Sequence, residues 1–182
     1  VTTLPYVIGV DPGKDGAMAA VVNGLLPTHF LRKTPIIQGD RNEYDLTGMR
    51  SYLEEIQERA RQEFNSSPVT AIIERQQAFP KQGGSSNFSI GYGFGLWIGL
   101  FTAMGIRYEV VSPQAWQKAM LAGIRKKNTK QASVVAAQRL WPGVDFRKSE
   151  RARKQDSGLT DAALLAQFGW RLVAPAGVPV RS

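Results

Sequence analysis

Val7-Ile8-Gly9-Val10-Asp11-Pro12-Gly13-Lys14-Asp15-Gly16 drives an apolar, β-branched run into a carboxylate and then into a turn. Proline at position 12 biases Asp11 toward extended backbone, and Pro12-Gly13 suits a turn that places glycine at positive φ. Asp11 is therefore expected to end a strand. An acid at the rim of a buried strand can hold a metal, act as a base, or cap its own turn through an Asx hydrogen bond. Which of these applies depends on whether other carboxylates reach the same rim.

Working outward, residues 6–10 and 17–22 read as two strands, and Asn23-Gly24 turns the chain toward a weaker third strand over 29–33. The three form an antiparallel meander. Leu46, Met49, Leu53, Ile56 and Ala60 recur at steps of three and four, which predicts an amphipathic helix over 45–64, stopped by Asn65-Ser66-Ser67-Pro68. Val69-Thr70-Ala71-Ile72-Ile73-Glu74 is a fourth strand and, like the first, ends in an acid. Glu74 is the only acid between Glu63 and Glu109. A polar, Gly-rich loop over 75–86 leads to an uncharged segment, 90–106, too short for a membrane span and read as a buried helix over 90–104. Its glycines follow no strand directly and lack a P-loop lysine, so close helix packing is the better reading.

A fifth strand is expected over 108–111. Ser112-Pro113 then provides an N-cap and a first-turn proline for a helix with Trp116 and Met120 on its apolar side. A helix over 129–140 ends at Trp141-Pro142-Gly143, and a charged, mobile stretch spans 147–155. A last helix over 158–172 has Leu164, Leu165, Phe168 and Leu172 as its expected buried stripe. This order predicts an α/β fold with a five-stranded mixed sheet, three antiparallel strands followed by two parallel ones, flanked by helices. Residues 1–173 form one domain, and 174–182 a flexible tail.

The 182 residues carry a net charge of +8, and 125–154 alone hold ten Lys and Arg against two acids, Asp145 and Glu150. That single stretch accounts for the whole excess and resembles a footprint for a polyanion such as nucleic acid. With no cysteine and one histidine, His29, the chain has neither a thiolate metal site nor material for a serine triad. No signal peptide is visible at the N-terminus, which starts without Met.

If the first and fourth strands are neighbours, Asp11 and Glu74 meet at one rim. Lys154-Gln155-Asp156-Ser157-Gly158-Leu159-Thr160-Asp161 opens the last helix and supplies a third acid. Asp161 shares a helical face with Leu165 and Phe168, so it points toward the domain unless it only complements the helix dipole.

Asp11-Pro12-Gly13, Glu74 and the cluster from Asp156 to Asp161 together resemble the RuvC-type Holliday junction resolvases of the RNase H-like superfamily. Phe79-Pro80, Gly91-Tyr92-Gly93-Phe94-Gly95-Leu96-Trp97-Ile98-Gly99, Pro113 and Trp116 bring the likeness nearest to the plant chloroplast (Monokaryotic Chloroplast) branch and its phage and bacterial relatives. The resemblance covers about 7–170. It implies an RNase H-like fold and a homodimer that nicks two opposed strands of a four-way DNA junction. It further implies two Mg²⁺ ions per site, with Mn²⁺ able to substitute, and no nucleotide cofactor or membrane. Asp11 would bridge both metals, Glu74 would hold one, and Asp161 with Asp156 the other. The implied setting is intracellular: a bacterial or phage-infected nucleoid, or a chloroplast nucleoid after transit-peptide removal.

The fourth ligand departs from the family pattern. Relatives often carry Asp or His three or four residues before the last acid, where this chain has Gly158 and Ser157. Asp156 can substitute only from a position off the helical path, at the cap. By the same resemblance, Phe79 would stack or wedge at an opened crossover; packing under its own loop is the alternative. Lys81, Lys118, Lys126, Lys127 and Lys130 are candidate phosphate contacts. Three rivals stand beside this reading: an RNase H-like nuclease for other branched or hybrid nucleic acids, a catalytically silent nucleic-acid-binding module, and a sugar-kinase-like ATPase, for which the chain is too short.

Overall fold

The computed structural model describes residues 5–63, 68–77, 83–125 and 128–174. Phe79, Lys81, Lys126, Lys127 and the tail beyond 174 lie outside them. The central sheet contains β1 (Tyr6–Asp11), β2 (Ala17–Val22), β3 (Arg32–Lys33), β6 (Val69–Glu74) and β7 (Arg107–Val111) in the order β3-β2-β1-β6-β7. β1 pairs antiparallel with β2 and β2 with β3, whereas β6 runs parallel to both β1 and β7. The mixed five-stranded sheet predicted from the element order is the one observed. A separate two-stranded ladder, β4 (Ile36–Ile37) with β5 (Glu43–Tyr44), was not foreseen; two-residue strands leave no periodicity to read.

β1 and β2 are buried along almost their whole length, as strands covered on both faces must be. Alternate residues divide between two cores. Tyr6, Ile8, Val10, Met18, Ala20 and Val22 pack under α1 (Leu46–Glu63) and α2 (Gly84–Ala103). Val7, Ala17, Ala19, Val21 and Ile72 pack under α3 (Pro113–Met120), α4 (Thr129–Leu140) and α5 (Ser157–Val173). On that second face, small residues let α5 lie directly on the sheet. A Cβ at Gly9 would overlap Ala162 O and Ala166 N, so Gly9 is where backbone meets backbone.

Three of the helix starts follow their capping residues: Ser112, Asn128 and Asp156 accept hydrogen bonds from Ala115 N, Gln131 N and Leu159 N, at 3.3, 3.0 and 3.1 Å. Asn23 (φ 51°) and Gly24 (φ 71°) make the predicted turn.

Several local expectations are corrected. Residues 28–30 form a 3₁₀ turn after Pro27, held by Tyr52 Oη donating to Phe30 O at 2.8 Å, so the third strand shrinks to Arg32–Lys33. The helix expected from residue 90 begins at Gly84, because its first turn of Gly and Ser carries no apolar signal. Gly13 does not take positive φ; the turn closes through Gly16 N donating to Gly13 O at 2.9 Å. On α5, Leu172 is 58% exposed and Phe168 only partly buried, whereas Ala162, Leu165, Ala166, Gly169 and Trp170 face the protein. The helix crosses the sheet's middle and its last turn overruns it. The charged stretch at 147–155 is held at its start, where Arg147 forks onto Asp145, and its two ends are joined by Asp156 N donating to Phe146 O.

Candidate active site

The sheet register builds the site. Asp11 lies opposite Ala17, and Ala17 opposite Lys33. On the other side, the β1/β6 ladder ends at Val10 opposite Ile73; one step further brings Asp11 level with Glu74, which pairs with Val111. One row across the rim therefore reads Lys33, Ala17, Asp11, Glu74, Val111, with neighbouring strands about 4.8 Å apart. The close contact at Gly9 seats Ala162 against β1, which carries Asp161 to the same end of the sheet.

Asp161 lies beyond the first turn of its helix. Helix α5 starts at Ser157 with Asp156 as its cap, so Asp161 is a full turn inside, beyond the positions that best complement the dipole. Burial pushes its carboxyl up to about 7, and the charges of Asp11 and Glu74 add to the effect, while Ser133 and Lys130 oppose it. Asp161 Oδ1 and Ser133 Oγ are both buried without a hydrogen-bond partner among the described residues.

Asp11 is also raised, chiefly by burial and further by Asp156, against the lowering influence of the Gly13 backbone, Lys33 and Lys130. Glu74 is raised by burial and by Asp11, and lowered by a 2.6 Å hydrogen bond that Trp116 Nε1 donates to its Oε2. The charge of Asp11 thus raises both Glu74 and Asp161, and that of Glu74 raises Asp161 further.

A cleft of about 480 Å³ opens over Asp11 and Asp161, lined also by Tyr44, Ile90, Lys130 and Gly158, while Glu74 lies outside its lining, bonded to Trp116. Tyr44 Oη donates to Pro12 O at 3.2 Å, and Gly93 of α2 allows the ring to fit, since a Cβ there would strike the Tyr44 hydroxyl. A neighbouring cleft of about 750 Å³ shares Lys130 and Ser157 and adds Asn128, Gln131, Lys154 and Gln155.

Asp156 has a different environment from the other three acids. Its Oδ1 accepts from Leu159 N and pairs with Lys33 Nζ at 3.0 Å. Lys33 Nζ also donates to Asp15 O. Of the candidate DNA contacts that are described, Lys130 lines both clefts and Lys118 is exposed on α3 away from the carboxylate cleft. Sequence reasoning missed Lys33, which looked like a strand end, and the bond from Trp116, which read as core. Neither has a local signal, because each meets its acid across the sheet.

As the side chains stand, no three His, Asp or Glu residues among those described converge tightly enough to clasp a metal ion. In charge and donor type the site nevertheless suits a hard divalent cation. Asp11, Glu74 and Asp161 are partly buried carboxylates of like charge, and Asp161 Oδ1 is itself buried without a hydrogen-bond partner among the described residues.

No protein-family model and no curated protein matches the sequence. Among solved structures, the chain is similar to Thermus thermophilus RuvC in complex with a Holliday junction substrate, at 15% identity and a TM-score of 0.51, over 93% of this chain and 96% of that one. The fold is RNase H-like. Thermus thermophilus RuvC in a second structure (14% identity, TM-score 0.49, 92% and 96% coverage) and the yeast mitochondrial Holliday junction resolvase Ydc2 (14%, 0.46, 90% and 76%) are also similar. The RNase H-like arrangement agrees with the sheet order and with helices on both faces. The finer likeness to the chloroplast branch rests on the sequence motifs alone. No helix among the described residues is long and apolar enough to cross a membrane.

Proposed function

We propose that this protein is a metal-dependent endonuclease that resolves four-way DNA junctions by paired nicks, acting as a homodimer. The observation that carries the reading is the placement of Asp11 and Glu74 at adjoining strand ends, with Asp161 lining the cleft over Asp11, on an RNase H-like sheet. Asp11, Glu74 and Asp161 would hold Mg²⁺, or Mn²⁺ in its place, and Asp156 would join them on release from Lys33. When bound, such ions activate a water and stabilise the leaving 3′ oxygen. Trp116 holds Glu74 in one orientation. Lys130, which lines both clefts, would receive a phosphate of the cleaved strand. The C-terminal half of the uncharged helix α2, where Gly95 and Gly99 are exposed, is the part proposed for the dimer.

A four-way junction assay with mapped cut sites, in Mg²⁺ and in EDTA, tests the reading. Symmetric nicks near the crossover that need the metal and vanish in Asp11→Asn are expected. A panel with flap, duplex and hybrid substrates separates junction resolution from other nuclease activity. A second reading, a silent nucleic-acid-binding module, stands beside it because the acids as they lie do not converge on one metal position among the described residues. Junction binding without cleavage in either metal would select it.

A further inference from the structure

Helix α2 carries no charge from Gly84 to Ala103, yet its first turns do not bury their large side chains. Phe88 is 74% exposed and Tyr92, one turn on, is 49% exposed. The two rings are nearly parallel, 6° apart, with centroids separated by 6.0 Å. Tyr92 meets Tyr44 edge to face, also at 6.0 Å. Tyr44 is bound to the turn after Asp11 and has Lys14 Nζ 5.5 Å from its ring. The result is a ladder of three rings leading from the carboxylate cleft out to solvent. Ser89 and Ile90, between the two exposed rings in sequence, line the cleft themselves.

We infer that Phe88 and Tyr92 are a stacking platform for an unpaired base next to the phosphate held at the carboxylate cleft. The inference rests on the nuclease reading above and extends it to what selects the substrate. A base offers a flat, uncharged face that matches an uncharged aromatic helix, and its own phosphates require cations. Lys14 and Lys130 supply these on the walls of the cleft beside the platform. Parallel rings extend a stack of bases in a way that a scattered apolar patch does not. Stacking of this kind tolerates any sequence, so the platform would favour DNA whose bases are opened near the cut over fully paired duplex. The ladder also ties the platform to the chemistry: a base seated on Phe88 bears, through Tyr92 and Tyr44, on the Pro12 turn that follows Asp11.

The test compares Phe88→Leu with Phe88→Trp in the full chain, by fluorescence anisotropy with a single-stranded oligonucleotide, a four-way junction and a paired duplex. Leucine keeps apolar bulk without a π face, whereas tryptophan enlarges the face. Because Phe88 is exposed, neither variant threatens the fold. Phe88→Leu is expected to weaken single-strand and junction binding roughly tenfold while leaving duplex binding unchanged, and Phe88→Trp to preserve affinity with its emission quenched on binding. Equal binding by wild type and both variants overturns the platform. So does a pattern in which Phe88→Leu binds DNA normally but shifts the sedimentation of the protein, which would make this face a contact between copies of the chain. Junction cleavage with indifference at Phe88 removes the platform and keeps the nuclease. Phe88-dependent binding with no cleavage in any metal keeps the platform and removes the nuclease.

Discussion

Trp116 Nε1 donates a 2.6 Å hydrogen bond to Glu74 Oε2, linking a fully buried indole on α3 to the acid that ends β6. The bond favours the ionised carboxylate against its burial and selects one rotamer of Glu74. Trp116→Phe retains most of the apolar volume and removes the donor. Cleavage should fall about tenfold or more, as expected for loss of a charge-assisted hydrogen bond. The acid limb of the pH–rate profile should move upward as well. A slower enzyme with an unshifted acid limb would mean that Trp116 acts only as packing.

Gly9 brings α5 onto β1, and the same contact carries Asp161 to the site. Gly9→Ala forces a methyl against the backbone of Ala162 and Ala166, which cannot yield as a flexible side chain would. Destabilisation of about 3 kcal/mol is expected by urea unfolding, at the upper end of overpacking effects. Wild-type stability in the variant would show that α5 can rise off the sheet without cost.

The raised carboxyls give stability a pH dependence of definite sign. A carboxyl with its folded pKa above the unfolded value favours folding while it is protonated. Its contribution is complete below the ordinary value of 3.8 and is lost as pH rises through about 7 for Asp161. Measured in EDTA, the melting temperature of Asp161→Asn should draw away from that of wild type as pH rises from 4 to 8. By pH 8 the variant should be higher by about 5 °C, a scale appropriate to a chain of this size. A constant gap across that range would contradict the burial of Asp161. Mg²⁺ at pH 8 should raise the melting temperature of wild type but not of the variant.

Asp156 serves as helix cap and as partner of Lys33, and asparagine can still cap. Asp156→Asn should therefore melt within a few degrees of wild type. If Asp156 joins the metal site, the variant loses most cleavage while junction binding survives. Unchanged cleavage would confine Asp156 to its structural role.

Lys130 lines both clefts, and Lys118 stands away from the carboxylate cleft. If both contact phosphates, each replacement by alanine should reduce the slope of log K against log salt by about 1. Only Lys130→Ala should also slow cleavage at saturating enzyme. A flat wild-type salt dependence would remove the polyanion reading of the basic stretch.

Much of this protein was legible along the chain. The residues of β1 and β6 are apolar runs that end in single acids, and strand burial requires such runs, so Asp11 and Glu74 could be found without coordinates. The cap at Ser112 could be read for a similar reason: capping is a bond between residues three apart. Tertiary structure decided what depends on crossing the sheet. Lys33 reaches Asp156, 123 residues away, and Trp116 reaches Glu74 only because α3 folds back over β6. The position of Asp161 depended on where α5 starts and on its seat at Gly9, which a periodicity of apolar residues does not report. Local chemistry names the acids, but the partners that orient them and the burial that raises their pKa values arise from packing between elements distant in sequence.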